Sequence, residues 1–69
     1  MDLNIDEIEA LLEAGGYELR VYNYDTQYRK GWYEAIIYDG DLPQTKGIRS
    51  QSKETAVQVA YKFFIGETK

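Results

Sequence analysis

Pairs of closely spaced carboxylates are the residues of this sequence whose types and spacing could do chemistry. Glu9 and Glu13 are four residues apart, and Asp39 and Asp41 are two apart. Such pairs can coordinate a hard cation through oxygen, or act as acid and nucleophile in glycoside hydrolysis. The first pair is better explained as the exposed face of a helix, and the second as turn residues. We therefore expect neither pair to be catalytic or to bind a metal.

The rest of the composition removes most other enzyme chemistry. The chain has no histidine and no cysteine, so it offers no imidazole base, no thiolate nucleophile and no nitrogen or sulfur side chain of the kind that binds zinc. Residues 40–47 combine glycines with a lysine, but they lack the spacing of a phosphate-binding P-loop and the serine or threonine that follows its lysine. The sequence therefore predicts that the protein is not an enzyme and uses no cofactor.

Size and hydropathy indicate one small domain that stays out of the membrane. The 69 residues fit a single domain, 1–69, and no run of about 18 apolar residues exists that could cross a bilayer. The first residues are acidic, where a secretory signal would be basic. We expect a cytoplasmic protein that does not bind membranes.

Negative charge is concentrated at the start of the chain. The net charge is −4, and residues 1–16 contain five acidic residues and no basic one. At helical spacing, Asp6, Glu9 and Glu13 fall on one outer face. This face is either a solvated surface that also suits the positive end of the helix dipole, or a surface that binds a partner.

A first helix is predicted over 4–14. Asn4 is a suitable N-cap, and Glu7 follows three residues later, where it can complete a capping box. Gly15 and Gly16 supply a residue that accepts a positive φ and so ends the helix. The apolar residues that repeat at helical spacing, and that we expect to be buried, are Ile5, Ile8, Leu11 and Leu12.

Three strands and a second helix follow. Residues 17–24 and 32–39 alternate at a period of two and form a predicted hairpin, whereas 44–50 has the lysine, glycine and arginine of an edge strand. A second helix is predicted over 52–65. Its expected main buried stripe is Ala56, Val59, Ala60 and Phe63, flanked by Val57 and Phe64. The fold class is therefore α+β in the order α-β-β-β-α, a three-stranded antiparallel sheet with two helices packed on one face.

The sheet face that carries no helices is the most informative feature. One set of alternating residues is suited to pack under the helices: Leu19, Val21, Ala35 and Ile37. In that case the other face carries the aromatic side chains of Tyr22, Tyr24, Trp32 and Tyr38. One interpretation is that these rings only stabilise the sheet, through cross-strand pairing. Another is that they bind a protein, because Tyr and Trp are enriched at interface hot spots. Stacking of RNA bases is a third interpretation.

The first hairpin loop places Arg29 and Lys30 next to Trp32. A solvated turn explains this basic and aromatic tip. It could also bind an acidic partner, in which case the loop and the aromatic face would form one contact surface.

The start of the second helix resembles a known family. Ser52, Lys53 and Ala56 match the Ser-Lys-Lys-x-Ala-Lys pattern of double-stranded RNA-binding domains, and the α-β-β-β-α order resembles that fold over nearly the whole chain. Glu54 and Val57 replace the other two lysines, which contact phosphates in the family, and the glycine-proline-histidine signature of the first hairpin loop is missing. The resemblance thus implies the fold and a phosphate contact for Lys53 alone. Partial versions of this fold in HicB-type antitoxins are also similar, and they serve protein contacts and dimerisation.

The resemblance implies one candidate function, weak binding of double-stranded RNA or DNA through the first hairpin loop and the start of the second helix. The residues available for it are Arg29, Lys30, Lys46, Arg49 and Lys53. In the family the first helix faces a minor groove, where Asp6, Glu9 and Glu13 would repel the phosphates.

The charge pattern favours a different hypothesis, a small non-catalytic protein-binding module. Such a module would be a regulator or inhibitor, of the kind that phages and mobile elements encode, and would occupy a partner's surface. Its contact surfaces would be the acidic first helix and the aromatic sheet face with its loop. A homodimer formed through the third strand or the sheet face is compatible with either function.

Overall fold

The computed structural model of the chain describes residues 3–24 and 30–66. It confirms an α+β fold with two helices and an antiparallel sheet in the predicted order. The elements are α1 (Ile5–Ala14), β1 (Glu18–Tyr24), β2 (Trp32–Asp39), β3 (Leu42–Pro43), β4 (Ile48–Ser50) and α2 (Lys53–Phe64).

β2 is the central strand of the sheet. Along one side it pairs antiparallel with β1 over the full length of that strand, from Glu18 opposite Tyr38 to Tyr24 opposite Trp32. Along its other side it pairs with β3 near its end and with β4 near its start. β3 and β4 are therefore two pieces of one edge.

The predicted continuous third strand over 44–50 is wrong. Pairing begins earlier, at Leu42, and is interrupted between β3 and β4. Because Tyr38 lies opposite Pro43 and Ala35 lies opposite Ile48, residues 44–47 face only two residues of β2. The two extra residues form a bulge, and no single-strand pattern specifies such an insertion.

The hydrogen bonds of Ile37 show how the bulge is closed. The Gln44 N–H donates to the Ile37 carbonyl at 2.7 Å, and the Ile37 N–H donates to the Thr45 hydroxyl at 3.3 Å. A side-chain oxygen thus replaces a backbone acceptor where the ladder is broken, so the buried N–H of Ile37 keeps a partner.

The capping signals of α1 are confirmed. The Asn4 carboxamide oxygen accepts from the Glu7 N–H at 2.8 Å, and the Asn4 N–H donates to the Glu7 carboxylate at 3.2 Å. Gly16 has φ +85°, and the Tyr17 N–H donates to the Leu12 carbonyl at 2.8 Å, so β1 begins one residue later than predicted. Leu11 was expected in the core but is 50% exposed.

α2 begins after the Ser52 cap, whose hydroxyl accepts from the Thr55 N–H at 3.2 Å. Its buried residues are Ala56, Val57 and Ala60. Phe63, expected in the buried stripe, is 36% exposed. The buried side of α2 is therefore turned toward Val57 and away from Phe63. α2 packs on both β2 and β4, and this packing sets which side of the helix is buried.

The core lies between the helices and one face of the sheet. Its buried members are Ile8, Leu12, Ala35, Ile37, Ile48, Ala56, Val57 and Ala60, and Leu19 and Val21 pack against them. We call the face that carries Leu19, Val21, Ala35, Ile37 and Ile48 the covered face, as predicted for the first four. Burying a single Ile or Leu side chain contributes about 1.5–3 kcal/mol, and small alanines on β2 and α2 let helix and sheet approach closely.

Within residues 3–24 and 30–66, neither helix has the length and apolar character needed to cross a membrane.

Candidate functional site

The face of the sheet opposite the core forms the candidate site. Since side chains alternate along a strand, the neighbours of the covered residues point away from the helices. We call this surface the open face, and its described side chains are Glu18, Arg20, Tyr22, Trp32, Glu34, Ile36, Tyr38 and Arg49. Tyr22 is 45% exposed, while Trp32, Ile36 and Tyr38 are half-buried. The three predicted aromatic residues whose side chains are described therefore share one face.

Arg20 organises one half of the open face. Its guanidinium lies 3.1 Å from the Glu18 carboxylate and 4.2 Å from the centroid of the Tyr38 ring. Two side-chain hydrogen bonds raise the pKa of Arg20 above its ordinary value. The larger effect comes from the bond with Glu18 and the smaller one from the bond with Tyr22. Arg20 therefore links two tyrosines of the open face, Tyr22 through a hydrogen bond and Tyr38 through a cation–π contact.

The other half of the open face holds an ion pair between strands. The Arg49 Nε donates to the Glu34 carboxylate at 2.8 Å, and the Glu34 side chain is only 18% exposed. Gly47 makes room for this arrangement, because a Cβ at that position would lie 2.7 Å from the Glu34 carboxyl group. Arg49 was a candidate for phosphate binding, and in the folded protein its charge is already paired with a carboxylate.

The loop residues lie at one end of the open face. Tyr24 is opposite Trp32 at the last pair of the hairpin, and Lys30 is exposed just before that strand begins. The predicted role of Arg29 falls outside the described residues, as does the side chain of Tyr24. Lys30 and Trp32 are therefore the described part of the predicted loop tip.

The acidic face of α1 is exposed, and it borders the sheet. Glu9 and Glu13 line an open pocket of about 200 Å³ together with Tyr17, Glu18 and Leu19 at the start of β1. We call this the acidic pocket. Asp6 is exposed on the same helix but is not part of the pocket lining. Glu18 was not predicted to join Glu9 and Glu13, because alternation along β1 assigns its side chain to the face away from the helices.

Metal binding by these carboxylates finds no support in the described part of the chain. There, no group of three or more acidic residues is arranged to hold a metal ion.

Two of the basic candidates, Lys46 and Lys53, lie near opposite ends of α2. The Lys46 amine lies 5.2 Å from the centroid of the Phe63 ring, near the end of α2, whereas Lys53 is the first residue of that helix. At 1.5 Å per residue these two positions are about 15 Å apart along the helix axis.

Lys53 and Lys30 do lie at the same end of the molecule. Ser50, shortly before α2, pairs with Tyr33, shortly after Lys30. Among residues 3–24 and 30–66, no ion pair joins Lys53 to an acidic neighbour. The Glu54 carboxylate instead accepts a hydrogen bond from Gln58 at 3.4 Å.

Comparison of the chain with protein-family models, with curated proteins and with solved structures finds no match. The likeness to double-stranded RNA-binding domains therefore stays a prediction based on element order and on three residues at the start of α2.

Proposed function

We propose that the chain is a small, non-catalytic protein-binding module of the cytoplasm. In this proposal it is a regulator or inhibitor, of the kind that phages and mobile elements encode, and it acts by occupying a partner's surface. The observation that carries the proposal is the open face. Tyr22, Trp32, Ile36 and Tyr38 all lie on this face, with Arg20 and Glu34 between them, and among the described elements none packs over them.

The charges of the open face favour a protein partner. Arg20 is held by Glu18 and Tyr38, and Arg49 is held by Glu34. Side chains that are already ordered lose less conformational freedom when a partner binds. Aromatic residues and arginine are also the types that dominate binding energy at protein interfaces.

Affinity measurements on a captured partner test this proposal. Partners would be captured on the immobilised chain, and the affinity of each would be measured by calorimetry. We expect Trp32→Ala, or Tyr22→Ala, to weaken binding about 30-fold, as loss of a central aromatic contact does. Leu42→Ala is the matched control, because Leu42 is 68% exposed and pairs with Asp39 away from the open face.

The acidic helix supplies the second arm of that test. Three variants are compared: Trp32→Ala, Tyr22→Ala, and the double variant Glu9→Lys with Glu13→Lys. If all three bind every partner at full strength, then neither surface is used and the proposal is wrong. Each variant's thermal midpoint is recorded, so that loss of binding is separated from loss of folding.

Binding of double-stranded RNA is the second candidate. It is favoured by the position of Lys53 at the same end of the molecule as Lys30, and by the lack of an ion pair between Lys53 and any acidic residue that the structure describes. It is tested by titrating labelled protein with an RNA duplex of about 20 base pairs, longer than the roughly 16 that such domains span. Amide shifts confined to Lys30, Gly31, Ser52 and Lys53 that weaken with salt would support RNA binding. Unchanged spectra at low salt would exclude it.

A further inference from the structure

In the part of the chain that the structure describes, the outer edge of β1 has backbone N–H and carbonyl groups that pair with no other strand. The hydrogen bonds of Ile37 at the bulge identify which residues carry them. Ile37 directs its N–H to Thr45 and its carbonyl to Gln44, so both point away from β1. In an antiparallel ladder, residues opposite each other either exchange both hydrogen bonds or exchange neither. Ile37 lies opposite Leu19, and this is therefore a pair that exchanges neither. Leu19 points its own N–H and carbonyl outward from the sheet.

The same alternation applies to every second residue of β1. Val21 and Asn23 share the orientation of Leu19, while Arg20 and Tyr22 bond to β2. Among the described residues, β2 is the one strand that pairs with β1. Leu19, Val21 and Asn23 thus offer a row of three donors and three acceptors at the outer edge of β1.

The two edges of the sheet differ in how well they could accept another strand. The opposite edge consists of two short strands, with a proline in one and a bulge between them. Short strands, prolines and bulges are the devices that protect sheet edges from pairing. β1 has none of these over its seven residues, so it is the edge suited to strand addition.

The acidic pocket lies at this same edge. Leu19 both contributes to the pocket lining and offers outward backbone groups, and Glu9 and Glu13 of α1 are the neighbouring pocket residues. Among residues 3–24 and 30–66, neither of these two carboxylates forms an ion pair. A strand added beside β1 would pass next to two uncompensated negative charges.

We propose that β1 binds an extended segment of a partner protein with basic side chains at alternate positions. The segment adds as an antiparallel strand and exchanges hydrogen bonds with Leu19, Val21 and Asn23. Residues opposite these three project toward α1, since directly opposed residues share a face. The lysine or arginine opposite Leu19 lies beside Glu9 and Glu13, which line the acidic pocket together with Leu19. The alternate residues of the segment extend the open face. This inference rests on the proposed protein-binding function and specifies the partner's chemistry.

A second copy of the chain is a poorer occupant of this edge. Pairing β1 with β1 would bring two copies of an acidic α1 to one junction, and residues 1–16 carry five acidic residues and no basic one. Like charges placed together oppose association.

The test uses a capped synthetic peptide, Lys-Val-Lys-Thr-Lys-Val-Lys, with a glutamate-for-lysine peptide as its control. Labelled full-length protein is titrated at low salt, and amide hydrogen exchange is measured by NMR. We expect saturable binding of the lysine peptide, with exchange at Leu19, Val21 and Asn23 slowed about tenfold or more and little change at Arg20 and Tyr22. Equal binding of both peptides, or no added protection at the three outward amides, would overturn the inference.

Asn23→Pro is the sharpest variant. It removes one outward N–H that takes no part in the ladder with β2, and proline is tolerated at such an edge position. We expect it to weaken peptide binding about fivefold, the worth of roughly one hydrogen bond, whereas the matched Asn23→Ala, which keeps the N–H, binds within about twofold. Full binding by Asn23→Pro would contradict strand addition.

The charge arm compares Glu9→Gln with Glu13→Gln against a control of equal charge, Asp39→Asn with Asp41→Asn. Asp39 ends β2 and Asp41 lies in the turn after it, and neither lines the acidic pocket. Only the first pair is expected to weaken lysine-peptide binding and to reduce its salt dependence. Equal effects of the two pairs would show attraction by net charge alone and would overturn the role of the acidic pocket.

Two results separate this inference from the proposed function. If a captured partner is lost with Trp32→Ala but retained by Asn23→Pro, the protein-binding function stands and the strand-addition inference fails. If the chain forms a concentration-dependent dimer by sedimentation that Asn23→Pro abolishes, the edge is used by a second copy, and the basic segment is the wrong occupant.

Discussion

The covered and open faces of β2 are built from alternate residues of a single strand and have opposite properties. Ala35 and Ile37 are fully buried under the helices, whereas their neighbours Glu34 and Ile36 are half-buried and face away. One face therefore supports the fold, and the other is available for binding. The loss of stability caused by a substitution in β2 should therefore depend more on the face that the position occupies than on the residue type. Odd-numbered positions lie on the covered face and even-numbered positions on the open face.

The largest expected difference in the free energy of unfolding is between two isoleucine-to-alanine substitutions, one on the covered face and one on the open face. Ile37→Ala should lower the free energy of unfolding by about 2–5 kcal/mol, because it removes buried contacts and leaves a cavity. Ile36→Ala should cost less than about 1 kcal/mol, since its side chain is already partly solvated. Urea denaturation of both variants measures the difference. Equal losses would show that the open face is covered in the folded protein.

A smaller effect is expected from enlarging a side chain on the covered face. Ala35→Leu forces extra volume between β2 and α2, and overpacking of this kind costs about 1–3 kcal/mol. Ile36→Leu is the control on the adjacent open position and should be close to neutral. Thermal denaturation measures both, and a neutral Ala35→Leu would mean that the covered face has unfilled space.

The smallest expected effect concerns the ion pair of the open face. Gly47→Ala should displace the Glu34 carboxylate from Arg49 and cost less than about 1 kcal/mol, because a partly exposed pair contributes little. In a Glu34→Ala background the same change should cost nothing, since its clashing partner is gone. A double-mutant cycle by chemical denaturation measures this coupling. A cost that persists without Glu34 would place the strain in the backbone of the bulge.

Local signals in the sequence predicted most of the fold. The Asn4–Glu7 capping box, the turn at Gly16 and the Ser52 cap depend on residues within five positions of each other. They can therefore be recognised without tertiary structure. The alternation in β1 and β2 likewise predicted which residues share a face, because the period of a strand is a local property.

The errors arise where distant parts of the chain meet. The split of the third strand follows from two residues inserted against β2, and the exposure of Leu11 and Phe63 follows from how each helix is rotated on the sheet. The candidate site shows the same limit. Alternation correctly grouped the aromatic residues whose side chains are described, Tyr22, Trp32 and Tyr38. The ion pair of Arg49 with Glu34 was not predicted, because it crosses fifteen residues of sequence.

The sequence by itself determined the order of the elements, the ends of the helices and the residues that share each sheet face, since these depend on periodicity and on short-range hydrogen bonds. It also excluded imidazole and thiolate chemistry through composition. Tertiary structure decided which charges are paired, that α1 borders β1 at the acidic pocket, and that Leu19, Val21 and Asn23 point their backbone groups outward. The direction of a backbone hydrogen bond depends on the register between two strands, and register is set by the whole packed sheet.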